Sequence, residues 1–207
     1  TYKINYAENV IERNSSLVSY ALEFPLDHED IKFKGSFLFS GQKYSFKDIS
    51  NTKQNIALIP GASYPSKCYP VNKFAELTLT LDANFLIIWG NEKEKVMADE
   101  IKALSDKASV CEKLSLDKLI SLISQVDLVI GPDTGPTHMA WALNIPSITL
   151  FGSTPGYRNT FSTNINKSIE SKSKVNTYKI NKNDYSINEI SVNKLNKSAN
   201  ELLRISL

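Results

Sequence analysis

Short apolar runs alternate with helix-period segments through the middle of the chain, between Asn55 and Phe151. Near-continuous apolarity is typical of strands that are covered on both faces, and it predicts strands at 56–59, 85–89, 109–111, 127–130 and 147–151. Apolar residues at helical spacing predict helices on Phe74, Leu77 and Leu81, on Met97, Ile101 and Leu104, and on Leu116, Leu119, Ile120 and Ile123. The alternation predicts βαβ units, and so an α/β fold with a Rossmann-like parallel sheet flanked by helices.

The pattern divides the chain into three parts. Residues 1–54 contain an amphipathic helix predicted over 5–22 and a mixed connector, and residues 55–161 form the Rossmann-like core. Residues 162–207 begin as a tail rich in Ser, Asn and Lys, and a final helical pattern is expected to pack back on the core. The chain starts with threonine, so we expect it to be a piece of something longer.

Composition narrows the function classes. A 42% hydrophobic and 22% charged composition is that of an ordinary globular chain, and a net charge of +2 does not indicate a nucleic-acid partner. No run approaches the ~20 apolar residues of a membrane span. The two cysteines, Cys68 and Cys111, make neither a disulfide framework nor a zinc motif, so we expect free thiols, no protein-bound metal and no cofactor.

One segment carries the strongest candidate chemistry. A buried strand runs into Gly131-Pro132-Asp133-Thr134-Gly135-Pro136-Thr137-His138, a turn followed by a helix start. Proline suits a first helical position, so we expect Gly135 as the N-cap and Pro136 as the first helical residue. Free amides of Gly135, Thr137 and His138 would then form an anion site at the carboxyl edge of the sheet. Alternatively, Asp133 and Thr134 only cap a turn and His138 is a buried structural histidine.

Two further loops follow strands and would open on the same edge. In the loop 60–70, Ser63 offers a hydroxyl and Lys67 a charge for phosphate, although a solvated lysine is the alternative and the P-loop spacing is absent. In the turn 90–94, Glu94 or Glu92 could accept hydrogen bonds from ribose hydroxyls. As acids in the first turn of a helix, they could equally complement the helix dipole.

These three segments resemble, in order and spacing, the bacterial heptosyltransferases of glycosyltransferase family nine, which build the inner core of lipopolysaccharide. The match is strongest over 131–143 and continues through the Ser147 strand to the Gly152-Ser153-Thr154 loop. The resemblance covers roughly residues 55–161 and implies the donor-binding half of a two-Rossmann (GT-B) enzyme. A helix around 6–14 also resembles the segment between the two domains in members that add the first heptose, which favours Kdo as acceptor.

The resemblance implies a donor, an acceptor and roles for individual residues. The donor would be ADP-L-glycero-D-manno-heptose, and the heptose would pass to Kdo-lipid A, or to heptosyl-Kdo-lipid A, by inverting, metal-independent transfer. Carried over by position, the diphosphate would be held by Ser63, Lys67, Thr134 and Gly135, the ribose by Glu94, the adenine by Leu114, and the sugar end by Asp133 and His138. The implied location is cytoplasmic, with peripheral contact at the inner face of the inner membrane. Positive charges of the tail could contribute to this membrane contact, namely those of Lys167, Lys172, Lys174 and Lys179. Alternatively, these lysines lie on a solvated loop.

The sequence also departs from the family pattern. Ala62-Ser63 replaces a Thr-Thr pair, which weakens one phosphate contact, and Tyr69 stands where Trp is usual. The catalytic base of the family is an aspartate in the N-terminal acceptor domain, which has no counterpart here, so no base is assigned. Three other hypotheses for the function stay open: the chain could belong to a GT-B nucleotide-sugar epimerase, be a non-catalytic nucleotide-binding module, or be a structural α/β domain.

Overall fold

The computed structural model describes residues 2–205, in which a parallel six-stranded sheet is flanked by helices. The strands are β1 (Asn55–Leu58), β2 (Asn84–Ile87), β3 (Ala108–Val110), β4 (Leu128–Pro132), β5 (Ser147–Phe151) and β6 (Asn166–Glu170). The helices are α1 (Val10–Leu22), α2 (His28–Lys32), α3 (Val71–Thr80), α4 (Glu92–Leu104), α5 (Leu116–Ile123), α6 (Gly135–Ala142), α7 (Gly156–Asn159) and α8 (Val192–Ile205). The predicted fold class is confirmed.

The strand order creates a switch point in the middle of the sheet. The order is β3-β2-β1-β4-β5-β6, so the chain moves outward from β1 to β3 and then returns to place β4 on the other side of β1. Ile56, Ala57 and Leu58 pair in parallel with Leu128, Val129 and Ile130. In such a sheet the loops that leave the carboxyl ends of the two central strands diverge, and the crevice between them is the usual ligand site.

Each face of the sheet carries its own apolar layer. One layer includes Phe74, Leu77, Ile101 and Leu195 from α3, α4 and α8. The other includes Ile120 and Ile123 from α5, Ala140 from α6 and the connector side chains Leu38, Phe46 and Ile49. Because both faces are covered, β1, β4 and β5 are buried along their whole length, which explains their near-continuous apolar sequence.

The sixth strand is the one strand, among the described residues, that the sequence pattern missed. Residues 166–170 read Asn-Lys-Ser-Ile-Glu, and only Asn166 and Ile169 are buried. This strand is at the edge of the sheet, where one apolar side chain suffices, and the Asn166 side chain donates hydrogen bonds to the Ile145 carbonyl oxygen and to Ser147 Oγ, both at 2.9 Å. The sheet therefore extends into the segment predicted as a tail, while the division of the chain at residues 54 and 161 stays a prediction.

The N-terminal helix attaches to the core through polar contacts. The Asn9 side chain accepts hydrogen bonds from the amides of Ile11 and Glu12, so α1 begins at Val10 rather than at residue 5 as predicted. Asn9 Nδ2 also donates to the carbonyl oxygens of Tyr157 at 2.9 Å and Thr160 at 2.7 Å. One side chain therefore caps α1 and fixes it to α7. Among residues 2–205, no helix has the length and apolarity needed to cross a membrane.

The docking of α8 on the sheet gives a stability prediction. Leu195 is fully buried in the layer that includes Phe74 and Leu77, and Leu195→Ala should lower the free energy of unfolding by about 2–5 kcal/mol because it leaves a cavity. Leu79→Ala, at a 55% exposed position of α3, is the control and should have little effect. The measurement is urea denaturation, and equal losses in the two variants would contradict the packing of α8.

Candidate functional site

Two loops meet beyond the carboxyl ends of β1 and β4. The first leaves β1 and contains a single 3₁₀ turn, Pro65–Lys67, which places Lys67 over the switch point. The second runs from Pro132 through Asp133 and Thr134 into α6. At Gly131 a Cβ atom would lie 2.7 Å from both Ile59 Cβ and Thr137 Oγ1, so only glycine lets the two loops approach this closely.

Asp133 is the centre of the site. Its Oδ1 lies 2.8 Å from His138 Nε2, and its Oδ2 lies 3.0 Å from Lys67 Nζ. The same Oδ2 accepts hydrogen bonds from Thr154 Oγ1 and Asn159 Nδ2, both at 3.0 Å. Four side chains from four different segments therefore converge on one carboxylate, which we call the Asp133 cluster.

Burial and neighbouring charge shift the pKa of this carboxylate in opposite directions. The side chains of Lys67 and Asp133 are 11% and 9% exposed, so Lys67 is not the solvated surface lysine of the alternative reading. Burial raises the pKa of Asp133, but the hydrogen bond with His138 and the positive charge of Lys67 outweigh it and hold the pKa well below its usual range. Asp133 is therefore a permanent anion near neutral pH, and it fixes the position of the Lys67 ammonium.

The start of α6 differs from the prediction by one residue. Thr134 is the N-cap, with φ −150° and ψ 161°, and Gly135 is already helical; the expectation that Gly135 caps the helix is wrong. Proline disfavours a helical conformation in the residue before it partly through a clash with that residue's Cβ, which glycine lacks. The His138 amide is also not free, since it donates to the Thr134 carbonyl oxygen at 3.2 Å. The first-turn amides of Gly135 and Thr137 have no helical partner, and the Thr134 side chain does not cap them.

A cavity of about 560 Å³ brings Ser63 and Glu94 together. Glu94 Oε2 accepts from the Gly90 amide at 2.7 Å, and Oε1 accepts from Asn91 Nδ2 at 2.8 Å, so the carboxylate is held in place. Its side chain lies directly against the Cα of Gly61, where a Cβ would overlap it. The loop after β1 and the start of α4 thus form one wall, with an acceptor group suited to hydroxyls.

Apart from Lys67, which contacts Asp133, the predicted site residues line three different cavities or lie at the N-cap of α6. Asp133, Gly135 and His138 line a cavity of about 550 Å³ beside α1, Ser63 and Glu94 line the second cavity, and Thr134 lies half-buried at the N-cap of α6. Leu114 is apart from both groups and lines a third cavity of about 440 Å³ that also includes Cys111 and Phe46. These assignments stay predictions. Among residues 2–205, no three His, Cys, Asp or Glu side chains cluster as a metal site would require.

Sequence reasoning missed two members of the Asp133 cluster. Thr154 belongs to the Gly-x-Thr loop that contributes to the resemblance, and that loop was the available signal. Asn159 ends the four-residue helix α7, and nothing in its sequence distinguishes it from the other asparagines of the chain. Both lie beyond β5, on the side of the switch point away from Lys67.

Comparison with known proteins identifies the family. The profile of Glycosyltransferase family 9 (heptosyltransferase) matches residues 1–186. The chain belongs to glycosyltransferase family 9. Within the family, it is 39% identical over 197 residues to lipopolysaccharide heptosyltransferase 1 of Campylobacter coli, a match that covers 88% of this chain and 58% of that protein. It is 24% identical over 160 residues to the protein of the same name from Pseudomonas aeruginosa, covering 75% and 43%.

Solved structures of a heptosyltransferase share the fold. Escherichia coli heptosyltransferase WaaC with ADP superposes with a TM-score of 0.72 and 16% identity, covering 98% of this chain and 59% of that one. WaaC with ADP-2-deoxy-2-fluoro heptose superposes with a TM-score of 0.68, covering 97% and 58% at 16% identity. At such identities, the likeness establishes the fold alone. The chain thus spans somewhat more than half of these larger proteins.

The Asp133 cluster predicts a pH-dependent effect on stability. Asp133→Asn leaves the Lys67 ammonium without its counter-ion, and it should lower the free energy of unfolding by about 3 kcal/mol at pH 7. The lowered pKa means that the ionised carboxylate stabilises the fold above the unfolded-state pKa of about 3.9, and that this stabilisation is lost as the pH falls through the folded-state pKa. The difference between the variant and the native chain should therefore be full at pH 7 and should shrink below about pH 4.

The measurement is urea denaturation of both proteins from pH 3 to pH 7. Asp99→Asn is the control, because Asp99 pairs with Lys95 on the exposed face of α4 and should leave the free energy of unfolding nearly unchanged. A pH-independent difference for Asp133→Asn would show that the Asp133 charge does not stabilise the cluster.

Proposed function

We propose that this chain is the donor-binding half of a heptosyltransferase. The donor is ADP-L-glycero-D-manno-heptose, and the acceptor is Kdo-lipid A or heptosyl-Kdo-lipid A of the lipopolysaccharide inner core. Transfer is inverting and needs no metal. Family membership, and the 39% identity to a protein named lipopolysaccharide heptosyltransferase 1, support this choice of reaction.

One structural observation carries the proposal: Lys67 and the start of α6 lie together at the switch point, held by the Asp133 carboxylate. A nucleoside diphosphate bound there would meet an ammonium group and the free first-turn amides of Gly135 and Thr137. The Ser63 hydroxyl lies on the same loop as Lys67 and would reach the diphosphate from the other side. Such preorganised donors stabilise the negative charge that develops on ADP as it leaves.

The two acidic residues would have different roles. Glu94, fixed by Gly90 and Asn91, presents carboxylate oxygens that can accept from the ribose hydroxyls. Asp133 is held by four donors and therefore acts on Lys67 and His138, orienting the ammonium towards phosphate and the imidazole towards the sugar end. Leu114 would contact the adenine ring in the cavity that it lines with Phe46 and Cys111. The catalytic base would come from the acceptor domain.

The remaining partners follow from the same proposal. An N-terminal acceptor domain would close over the switch point, and the enzyme would work in the cytoplasm at the inner face of the inner membrane. Of the four lysines expected to contribute to membrane contact, Lys167 is paired with Glu201 at 2.6 Å, while Lys172, Lys174 and Lys179 are exposed.

Removal of the Lys67 charge tests the donor site. Lys67→Ala should weaken binding of ADP-heptose by about 1–3 kcal/mol, the usual loss for a charge-assisted hydrogen bond. Lys43→Ala, at an exposed position outside the site, should bind like the native chain. Titration calorimetry gives both affinities, and circular dichroism shows whether each variant is folded. Unchanged affinity in a folded Lys67→Ala variant would remove Lys67 from the site.

Two adjacent acids allow a matched test of the ribose contact. Glu94 and Glu92 line the same cavity, but Glu94 is fixed by two hydrogen bonds and Glu92 is exposed. Glu94→Gln should weaken binding of ADP about tenfold, because a charged acceptor is replaced by a neutral one, and Glu92→Gln should not. If both substitutions weaken ADP binding equally, Glu94 has no specific role.

An assay of the chain alone tests whether catalysis needs the acceptor domain. We expect the 207-residue chain to bind ADP-heptose and to transfer little or no heptose to Kdo-lipid A, because no residue in it is assigned as the base. The measurement is transfer of radiolabelled heptose to the lipid acceptor. Sustained turnover by this chain would show that the base lies within it.

A further inference from the structure

A polar cavity of about 440 Å³ lies beyond the carboxyl ends of β5 and β6, at the same edge of the sheet as the Asp133 cluster. Its walls come from the loop after β5, which contributes Ser153, and from the long loop after β6, which contributes Ser173, Lys174, Lys179, Asn183 and Asp184. Ser153 immediately precedes Thr154, whose hydroxyl bonds Asp133. None of these cavity residues has a role in the proposed donor site.

Ser153 is the first sign that this cavity takes a ligand. The residue is 1% exposed, and its Oγ makes no hydrogen bond within the described part of the chain. A buried hydroxyl is costly to leave unpaired. Gly152, just before it, packs so tightly on Ile187 that a Cβ would lie 2.6 Å from the Ile187 amide nitrogen, so the loop that presents Ser153 is fixed in place.

The charged groups of the cavity show which kind of ligand would fit. Lys174 and Lys179 are exposed, and their Nζ atoms make no ion pair or hydrogen bond with any residue between 2 and 205. The carboxylate in the cavity is Asp184, and both of its oxygens are engaged: Oδ1 accepts from the Ser186 amide at 2.9 Å, and Oδ2 accepts from the Ser173 hydroxyl. The buried Ser153 hydroxyl therefore lacks an acceptor, and the two exposed ammonium groups have no carboxylate partner.

A group with several acceptor oxygens and negative charge would satisfy all three donors at once. We propose that this cavity binds a phosphate monoester or inorganic phosphate, through Ser153 Oγ, Lys174 and Lys179. Two cations against one engaged carboxylate leave an excess of one positive charge, which suits an oxyanion. The site is separate from the proposed diphosphate site on α6 and does not depend on it.

The test is a titration of the whole chain with inorganic phosphate at constant ionic strength, with ADP present to occupy the switch point. The amide signals of Ser153 and Ser173 in ¹⁵N–¹H spectra report binding. The native chain should show saturable shifts at these amides. The double variant Lys174→Gln/Lys179→Gln should lose at least about tenfold in phosphate affinity, as expected when charge-assisted contacts are removed.

A matched double variant controls for net charge. Lys43→Gln/Lys197→Gln also removes two positive charges, but at exposed positions outside the cavity. This variant should bind phosphate like the native chain. Ser153→Ala should also weaken phosphate binding about tenfold while its ADP affinity is unchanged. Equal phosphate affinity in the cavity variants and the control would overturn the proposal. Failure of ADP to bind would count against the donor site instead, since the Ser153 amide still reports on the cavity.

Vesicles distinguish the source of the phosphate. Phosphatidylcholine vesicles with and without phosphatidic acid are sedimented with each variant. Sedimentation that requires phosphatidic acid and disappears in Lys174→Gln/Lys179→Gln assigns the cavity to a lipid headgroup. Phosphate binding without sedimentation assigns it to a soluble phosphate ester.

Discussion

The Asp133 carboxylate accepts contacts from Lys67, His138, Thr154 and Asn159, and each of these side chains comes from a different segment. Lys67 belongs to the loop after β1, His138 to α6, Thr154 to the loop after β5 and Asn159 to α7. A buried carboxylate needs such partners because an unpaired charge in a protein interior is strongly destabilising. The same contacts that neutralise Asp133 therefore bring together the loops that form the candidate donor site.

The N-terminal segment supports this arrangement from outside. The Asn9 side chain donates hydrogen bonds to the carbonyl oxygens of Tyr157 and Thr160, two residues that lie on either side of Asn159 in the sequence. Arg158 donates from Nε to the Tyr6 carbonyl oxygen at 2.9 Å, and its guanidinium lies 4.0 Å from the centre of the Tyr6 ring. The first helix is thus connected to Asp133 through α7 and Asn159.

The sequence predicted the central strands, which are buried along their whole length, and missed the edge strand β6, which is only partly buried. All five predicted strands are present. The apolar runs of β1, β4 and β5 were recognisable because strands that are covered on both faces require them. The edge strand β6 was missed because one buried isoleucine and the Asn166 hydrogen bonds hold it in place. The N-cap of α6 was predicted one residue late because the restriction before proline is weaker for glycine than for other residues.

The site was predictable in its parts but not in its contacts. Asp133, Lys67 and His138 were each recognisable from their loops and from the family pattern, yet no spacing indicates that Lys67 and Asp133 form a buried pair. Asn159 could not be found from the sequence, because its role depends on how α7 is placed by Asn9. Leu114 lines a cavity with Phe46 and Cys111, apart from the Asp133 cluster.

The most direct test of the central claim is the nucleotide and sugar specificity of the chain. Titration calorimetry at matched ionic strength would compare ADP-heptose, ADP and UDP-sugars. A heptosyltransferase donor site should bind ADP-heptose more tightly than ADP and should give no heat with UDP-sugars. Equal binding of ADP and UDP compounds, or no binding of ADP-heptose by the folded chain, would contradict the account.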